Sequence, residues 1–386
     1  MMTRLAATGT RVANPRLLFV AEGDPESWNS WSGCSRSLLG ALRSAGFDVR
    51  SRSADLPGIV DALVKAVSFV PDRSRWTNRY HLSPIGHAIR SHRVRAKLQS
   101  CPDGIPVLQV GASFSAFTGD RALYAICDAN VAFAASAGAY GPVARLSKRD
   151  LQAAIAMERT VYERCSLIFA FTERLRRSFI EDFGVPAHSV ITTFQGANLV
   201  APPSDVDVAS SLKSADPRIL FVGRMFERKG GPTLLRAFRE VRRRFPSARL
   251  QVVGCTPDVA LEAGVDVFGL LSREPGASPS LRDLYLGADL FCLPTRYEPF
   301  GTSFVEAMLH GLPCVGTREW SSEVIAHGED GWLVGVDDHE ELANILIEAL
   351  SDRERLRTMG HVGRAKARKQ FSWNRVADTI HGHIGR

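Results

Sequence analysis

Short apolar runs alternate with longer segments of helical periodicity along most of the chain. The apolar runs have the length of buried strands, and glycine or proline residues end several of them. They cover residues 16–21, 47–50, 106–110, 123–127, 167–171 and 189–194 in the first half, and 218–223, 248–254, 288–293 and 313–316 in the second. The helical segments cover residues 34–45, 149–164, 173–183, 231–245, 280–286, 303–310 and 338–350. This alternation predicts parallel sheets, and therefore an α/β fold.

A proline-rich, polar stretch over residues 201–217 interrupts this pattern. We interpret it as a linker and predict two domains, residues 1–203 and residues 204–371. Two α/β domains enclose a cleft, and ligands of such sheets bind beyond the carboxyl ends of the strands. The sequence has no G-x-G-x-x-G and no G-x-x-x-x-G-K-[ST] motif, which argues against a dehydrogenase and against a P-loop enzyme.

Composition is that of a globular protein, because 45% of the 386 residues are apolar and 23% are charged. No run approaches 18 uninterrupted apolar residues, and residues 1–15 lack the apolar core of a signal peptide. We therefore expect a short leader without a membrane span. Seven cysteines without C-x-x-C spacing favour reduced thiols, a cytoplasmic location and no metal site.

Part of the net charge of +7 is local. From Arg73 to Lys97 the sequence contains seven Lys or Arg and three His, but no Asp or Glu. A solvated helix face explains such a segment, and so does contact with an anionic acceptor or with the inner membrane surface. No zinc-finger spacing or aromatic RNA-binding pattern accompanies it, so we expect no nucleic-acid partner.

The segment around Glu298 and Glu306 carries the most informative chemistry. A buried strand precedes it, and a helix is predicted to start just after Gly301. The start of a helix offers free amides and the positive end of the dipole, which suit a phosphate. A carboxylate on each side of such a site can hold the hydroxyls of a sugar and a ribose. The alternative is an ordinary helix N-terminus with acidic residues for the dipole.

A second candidate site is the loop that follows the strand at residues 218–223. Arg224 and Lys229 lie on this loop, directly before a predicted helix. Two cations on one strand-to-helix loop can clamp a diphosphate and neutralise charge that develops on a leaving group. A simple surface loop is the alternative.

Two further candidates lie in the first domain. Gly33, in the turn before the first helix, would let the backbone approach a phosphate or sugar, although turn geometry alone also explains a glycine there. Asp128 ends a strand at the expected edge of the cleft. It can orient an acceptor or polarise its hydroxyl, or it can cap the following segment.

Several of these segments resemble one family. Glu298-Pro299-Phe300-Gly301, followed by Glu306-Ala307-Met308 and Gly311-Leu312-Pro313-Cys314-Val315, resembles the E-x7-E element of family-4 retaining glycosyltransferases with the GT-B fold. The segment from Phe221 to Gly230 is similar to their phosphate-clamping loop. The likeness is strongest over residues 165–373, whereas residues 51–123 match nothing that we can name.

The resemblance implies two Rossmann-like domains that face a central cleft, and a hexosyltransferase that takes its sugar from a nucleoside-diphosphate donor. It implies transfer with retention of configuration, without a cofactor or a bound metal. By this resemblance Glu306 holds ribose hydroxyls and Glu298 holds sugar hydroxyls, and both face a diphosphate clamped by Arg224 and Lys229. The donor-facing groups also include Gly33 and the amides of Phe300, Gly301 and Thr302.

The chain departs from the family pattern at two places. Asp128-Ala129-Asn130 stands where many relatives have a histidine nearby, and Gln195-Gly196-Ala197-Asn198 stands where proline-glycine-x-aspartate is more usual. The segment Phe371-Ser372-Trp373 resembles the last helix of the family, so residues 372–386 are expected to pack back on the first domain. A same-fold phosphorylase or epimerase, and a non-catalytic sugar- or lipid-binding protein, are the alternative functions.

Overall fold

The structure is a computed structural model that describes residues 14–69, 80–138, 143–211, 215–257, 262–271 and 280–384. Twelve strands form two parallel sheets of six strands each. The first sheet contains β1 (Arg16–Ala21), β2 (Asp48–Ser53), β3 (Val107–Val110), β4 (Leu123–Cys127), β5 (Leu167–Ala170) and β6 (Val190–Thr192). The second contains β7 (Arg218–Val222), β8 (Arg249–Val253), β9 (Val265–Gly269), β10 (Leu290–Cys292), β11 (Cys314–Thr317) and β12 (Gly331–Val334).

Helices lie in most of the connections between strands, as is usual in parallel sheets, although the connection from β3 to β4 contains none. In the first domain they are α1 (Cys34–Ser44), α2 (Gly58–Val67), α3 (Pro84–Gln99), α4 (Val131–Ser136), α5 (Lys148–Tyr162) and α6 (Glu173–Glu181). The remainder are α7 (Asp205–Ala209), α8 (Gly231–Arg244), α9 (Leu281–Gly287), α10 (Thr302–Leu309), α11 (Arg318–Ser321), α12 (His339–Ser351), α13 (Arg353–Gln370) and α14 (Trp373–Ile384).

The strand order of each sheet determines where a ligand can bind. The first sheet has the order β2-β1-β3-β4-β5-β6, and the second has β12-β11-β10-β7-β8-β9. The direction of winding therefore reverses between β1 and β3, and again between β7 and β10. Such a reversal opens a crevice at the carboxyl ends of the strands, where open α/β sheets bind their ligands. The loops after β7 and β10 contain Lys229 and Glu298, so both candidates lie at the reversal.

The chain crosses between the domains at two places that touch each other. In the first crossing, residues 194–198 run out of the first domain, and in the second, residues 371–373 lead into α14. A Cβ on Gly196 would lie 2.5 Å from the backbone nitrogen of Trp373, which leaves room only for glycine. The indole of Trp373 donates to the Asn198 side chain at 3.0 Å.

Helix α14 lies against the first domain rather than the second. It packs against α1, and His381 meets the ring of Phe47 with 5.0 Å between ring centroids. At its start, the ring of Trp373 meets that of Phe171 at 5.9 Å. A further contact between the domains is made by Glu323, whose carboxylate accepts hydrogen bonds of 2.6 and 2.9 Å from the first amides of α6.

Two expectations about individual segments need correction. Residues 201–217 are not wholly irregular, because Ser204 and Asp207 form a capping box that starts the short helix α7. The basic segment is not uniformly solvated either. Arg90 lies on the inner face of α3 with 2% of its surface exposed, and the Lys97 ammonium donates to the carbonyl of Ser53 at 2.6 Å. Arg73, Arg75 and Arg79 lie outside the described residues.

Within the described part of the chain, no helix is both long enough and apolar enough to cross a membrane.

Candidate active site

A buried ion pair joins the two loops at the winding reversal of the second sheet. The ammonium of Lys229 contacts the carboxylate of Glu298, and their side chains are only 12% and 9% exposed. Next to the pair, Arg228 donates to the carbonyl of Tyr297 at 2.6 Å and ties the same loops together. Burial lowers the pKa of Lys229, while the charge of Glu298 opposes that change. The two charges therefore face each other in a site from which water is largely excluded.

Two glycines bring the starts of α8 and α10 up to this pair. Gly230 has a φ of +77°, and a Cβ there would lie 1.8 Å from the carbonyl oxygen of Pro294. Gly301 has a φ of +96°, and a Cβ there would meet the ring of Phe304 at 2.5 Å. Side chains other than hydrogen would be both strained and blocked at these positions. The glycines thus permit the close approach of loop and helix that the sequence pattern predicts.

The two residues of the predicted clamp differ in environment. Arg224 lies at the start of the loop and is exposed, and it has no ion-pair partner among the described residues. Lys229 lies at the end of the loop and is already paired with Glu298. A diphosphate would therefore meet an exposed guanidinium on one side and a buried, ion-paired ammonium on the other.

Glu306 lies in the second turn of α10 and is buried, with 3% of its surface exposed. The hydroxyl of Tyr285 donates to its carboxylate at 3.3 Å, and the Tyr285 ring stacks on His310 with 4.8 Å between centroids. Phe300, in the loop before α10, is buried between the rings of Phe171 and Phe371. Its side chain therefore packs between the domains, which leaves only its backbone for the role that the resemblance implies.

The first domain contributes Asp128 to the cleft. The indole of Trp31 donates to its carboxylate at 3.0 Å. Burial raises the pKa of Asp128, the Trp31 hydrogen bond opposes the rise, and the charge of Glu298 adds to it. The ring of Phe133 on α4 lies 6.1 Å from that of Tyr297, so this edge of the first domain faces the loop that contains Glu298. The N-cap of α4 is Asn130, whose side chain accepts from Phe133 at 2.7 Å, so Asp128 does not have the capping role.

The loop before α1 adopts a backbone conformation that is rare for ordinary residues. Trp31, Ser32 and Gly33 follow one another with φ values of +46°, +56° and +90°. Asn198 holds this loop by donating to the Ser32 carbonyl at 3.1 Å, and the Trp31 ring stacks on Phe171 at 5.3 Å. Backbone strain of this kind costs roughly 1–3 kcal/mol per residue and concentrates at functional sites.

Sequence reasoning did not find the parts played by Trp31, Asn198 and Gln195. The Gln195 side chain donates to the hydroxyl of Thr302 at 2.8 Å, and so connects the first domain to the start of α10. The departure of residues 195–198 from the family pattern was the available signal. It marked the segment as unusual, but it did not indicate that these amides hold Ser32 and Thr302.

In the part of the chain that the structure covers, no cluster of three or more His, Cys, Asp or Glu side chains could hold a metal ion. The predicted independence of metals stays a prediction.

Comparison with known proteins identifies the second domain. Residues 216–352 match the family model described as "Glycosyl transferases group 1", and this range includes Arg224, Lys229, Glu298 and Glu306. The chain therefore carries a glycosyl transferases group 1 domain, as its E-x7-E segment predicts. The resemblance to this class of proteins is confirmed.

Curated relatives match over part of their length. Mannosylfructose-phosphate synthase of Agrobacterium fabrum is 26% identical over 250 residues, which cover 58% of this chain and 54% of that protein. Phosphatidyl-myo-inositol mannosyltransferase of Mycolicibacterium smegmatis is 35% identical over 199 residues, which cover 48% of this chain and 51% of that protein. The chain thus spans about half the length of these relatives.

Solved structures match over nearly the whole chain. Sucrose-phosphate synthase from Thermosynechococcus elongatus superposes with a TM-score of 0.68 at 18% identity, covering 95% of this chain and 98% of that one. HepE from Anabaena, in complex with UDP and glucose, gives a TM-score of 0.60 at 18% identity, with the same coverage. At these identities the likeness establishes the fold, and the predicted GT-B architecture is confirmed.

Proposed function

We propose that this protein is a retaining hexosyltransferase that moves a sugar from a nucleoside-diphosphate donor to a saccharide, lipid-linked or small-molecule acceptor, without a bound metal. The observation that carries the proposal is the buried Lys229–Glu298 pair, which lies where the strand order of the second sheet reverses. In this proposal, the ammonium of Lys229 binds the diphosphate, and the adjacent carboxylate of Glu298 binds the sugar.

When the donor binds, Lys229 and Glu298 would contact two different parts of it. The diphosphate takes the ammonium of Lys229 and the fork of Arg224, while a sugar hydroxyl donates to Glu298. Both interactions form in a dry site, where charges act more strongly than in water. As the sugar leaves, charge develops on the phosphate, and the two cations stabilise it. An oxygen of that phosphate takes the acceptor proton, and Asp128 orients the acceptor hydroxyl.

The first donors to test are UDP-hexoses, because the fold neighbour HepE was solved with UDP and glucose. A thermal-shift panel of UDP, GDP and ADP with their sugars should give the largest stabilisation with one nucleotide class. Proton NMR of the reaction with that donor should then show a product of unchanged anomeric configuration, with the same rate in EDTA. A product of inverted configuration, or a protein stabilised by none of these nucleotides, would refute the proposal.

The surface of the first domain also supports a contact with anionic membranes. Ile59, Leu63 and Val67 lie one turn apart on α2 with 82%, 63% and 64% of their surfaces exposed, so they form an apolar stripe facing solvent. Helix α3 adds the partly exposed Arg93 and Arg95. Apolar and basic residues together suit the interface of a bilayer with anionic headgroups.

We expect the protein to bind phosphatidylglycerol vesicles at low salt. It should dissociate from them by about 0.5 M NaCl, because salt screens the electrostatic attraction to a short range. Each basic residue near an anionic surface contributes roughly 1 kcal/mol, so Arg93→Glu with Arg95→Glu should abolish binding in a flotation assay. Arg357→Glu with Arg375→Glu changes the same charge at exposed positions elsewhere, and should have little effect. If the wild-type protein does not bind these vesicles at low salt, the basic segment is only a solvated surface.

A further inference from the structure

A cavity lies in the first domain, beside the cleft. Its volume is about 430 Å³, enough for a monosaccharide or a ring of similar size. Glu22 and Gly23 line it directly after β1, and Asp55 lines it just after β2. The cavity thus lies at the carboxyl ends of two neighbouring strands, the edge at which this class of sheet binds ligands.

The cavity contains polar atoms without partners among the described residues. Arg90 is 2% exposed, and neither of its terminal Nη atoms makes a hydrogen bond there. One carboxylate oxygen of Glu22, 3.8 Å from Arg90 Nε, also lacks a hydrogen bond, while its other oxygen lies 3.3 Å from the ring of His81. Burying donors and an acceptor in this state is costly, and a bound ligand that both donates and accepts would remove the cost.

The other acidic groups of the cavity have local partners. Asp55 accepts from the amide of Gly23 at 2.7 Å, and Asp61 is bound by Lys65 and by the Tyr80 hydroxyl. Even so, three carboxylates line the cavity, whereas the nearby cations are the guanidinium of Arg90 and the ammonium of Lys65, with the imidazole of His81 beside them. A phosphorylated ligand would face net repulsion there, whereas hydroxyl groups can donate to carboxylates and accept from arginine.

Trp31 connects this cavity to the candidate active site. It lines the cavity, and its indole nitrogen donates to Asp128 at 3.0 Å. A ring held in the cavity would lie against an aromatic side chain that is hydrogen-bonded to the carboxylate expected to orient the acceptor. The strained backbone at Trp31 and Ser32 fixes this connection in place.

We infer that this cavity holds the acceptor, and that the acceptor presents a neutral, polyhydroxylated ring to it, bound by Arg90 as donor and by Glu22 as acceptor. This inference rests on the proposed function, and it narrows the acceptor class to unphosphorylated saccharides or cyclitols at this position. It assigns to Arg90 a role in acceptor specificity rather than in membrane contact.

The test begins with the UDP-loaded wild-type protein on an array of neutral and phosphorylated glycans, followed by kinetics with a neutral glycan that binds. Arg90→Gln and Glu22→Gln should each raise the KM for this acceptor by about tenfold or more, the factor that a loss of about 1.4 kcal/mol gives. The KM for the donor and its slow hydrolysis in water should stay unchanged. Arg149→Gln, the same substitution at an exposed position on α5 of the first domain, is the matched control.

Each outcome separates this inference from the proposed function. If the wild-type protein neither binds nor hydrolyses any nucleotide sugar, the proposed function itself fails. If donor hydrolysis is normal but the array shows binding only to phosphorylated glycans, or to none, the inference is overturned. It is also overturned if folded Arg90→Gln and Glu22→Gln proteins, verified by circular dichroism, keep the wild-type acceptor KM.

Discussion

Replacing Lys229 with alanine is expected to lower turnover by about a hundredfold or more, because the ammonium stabilises charge on the departing diphosphate in a dry site. The same substitution at Arg224 should have an effect of similar order, since both cations address one diphosphate. Turnover is measured at saturating donor and acceptor, so that weaker binding does not mask the loss. The effect of Arg224→Ala should be confined to function, because its side chain is exposed.

Lys229→Ala needs a control for stability, since it leaves the buried charge of Glu298 without its partner. The double variant Lys229→Ala/Glu298→Ala removes both charges, and it should recover thermal stability without recovering turnover. Arg236→Ala, an exposed cation on α8, should leave turnover close to that of the wild type. Full activity in folded Lys229→Ala protein would exclude the clamp.

The two carboxylates, Glu306 and Glu298, are expected to bind different parts of the donor. Glu306→Ala should weaken binding of the free nucleoside diphosphate, because contact with ribose does not depend on the sugar. Glu298→Ala should leave that affinity nearly unchanged, since the released Lys229 keeps its donors for phosphate, and it should reduce discrimination among sugars. Calorimetric titration with the diphosphate, and then with a set of its sugars, measures both effects.

Glu319→Ala removes an exposed carboxylate on α11 and is a control for the change in net charge. If Glu298→Ala weakens binding of the free nucleoside diphosphate while Glu306→Ala leaves that binding unchanged, the two roles are exchanged. Because Glu306 is buried and bonded to Tyr285, Glu306→Gln should be measured beside the alanine variant. The isosteric change keeps the volume, removes the charge and replaces one acceptor oxygen with a donor NH2 group.

Local pattern was sufficient to predict the part of the fold that positions the donor site. The helix expected over residues 303–310 is Thr302–Leu309, and the one expected over residues 34–45 is Cys34–Ser44. Both predictions rest on glycine signals and on apolar periodicity, which are properties of adjacent residues. Lys229 and Glu298 could likewise be predicted to meet, because parallel strands bring their carboxyl-terminal loops to one edge.

Contacts made by side chains across long sequence separations could not be predicted in this way. Arg90 belongs to a basic segment, and charge alone suggested a solvated surface, yet the packing of α3 turns it inward toward Glu22. Asn198 and Trp31 act through partners far away in the chain. A single sequence shows residue types and spacing, but the direction of a side chain is decided by tertiary packing.

The two chain crossings between the domains have a mechanical consequence. Residues 194–198 and 371–373 are packed against each other, with Gly196 against Trp373 and the ring of Phe194 against that of Phe371 at 5.7 Å. Because both crossings lie at one place, any rotation of one domain relative to the other has to pivot there. The packing of Gly196 against Trp373 therefore helps to fix how the first domain, with Asp128, is placed relative to the loop that contains Glu298.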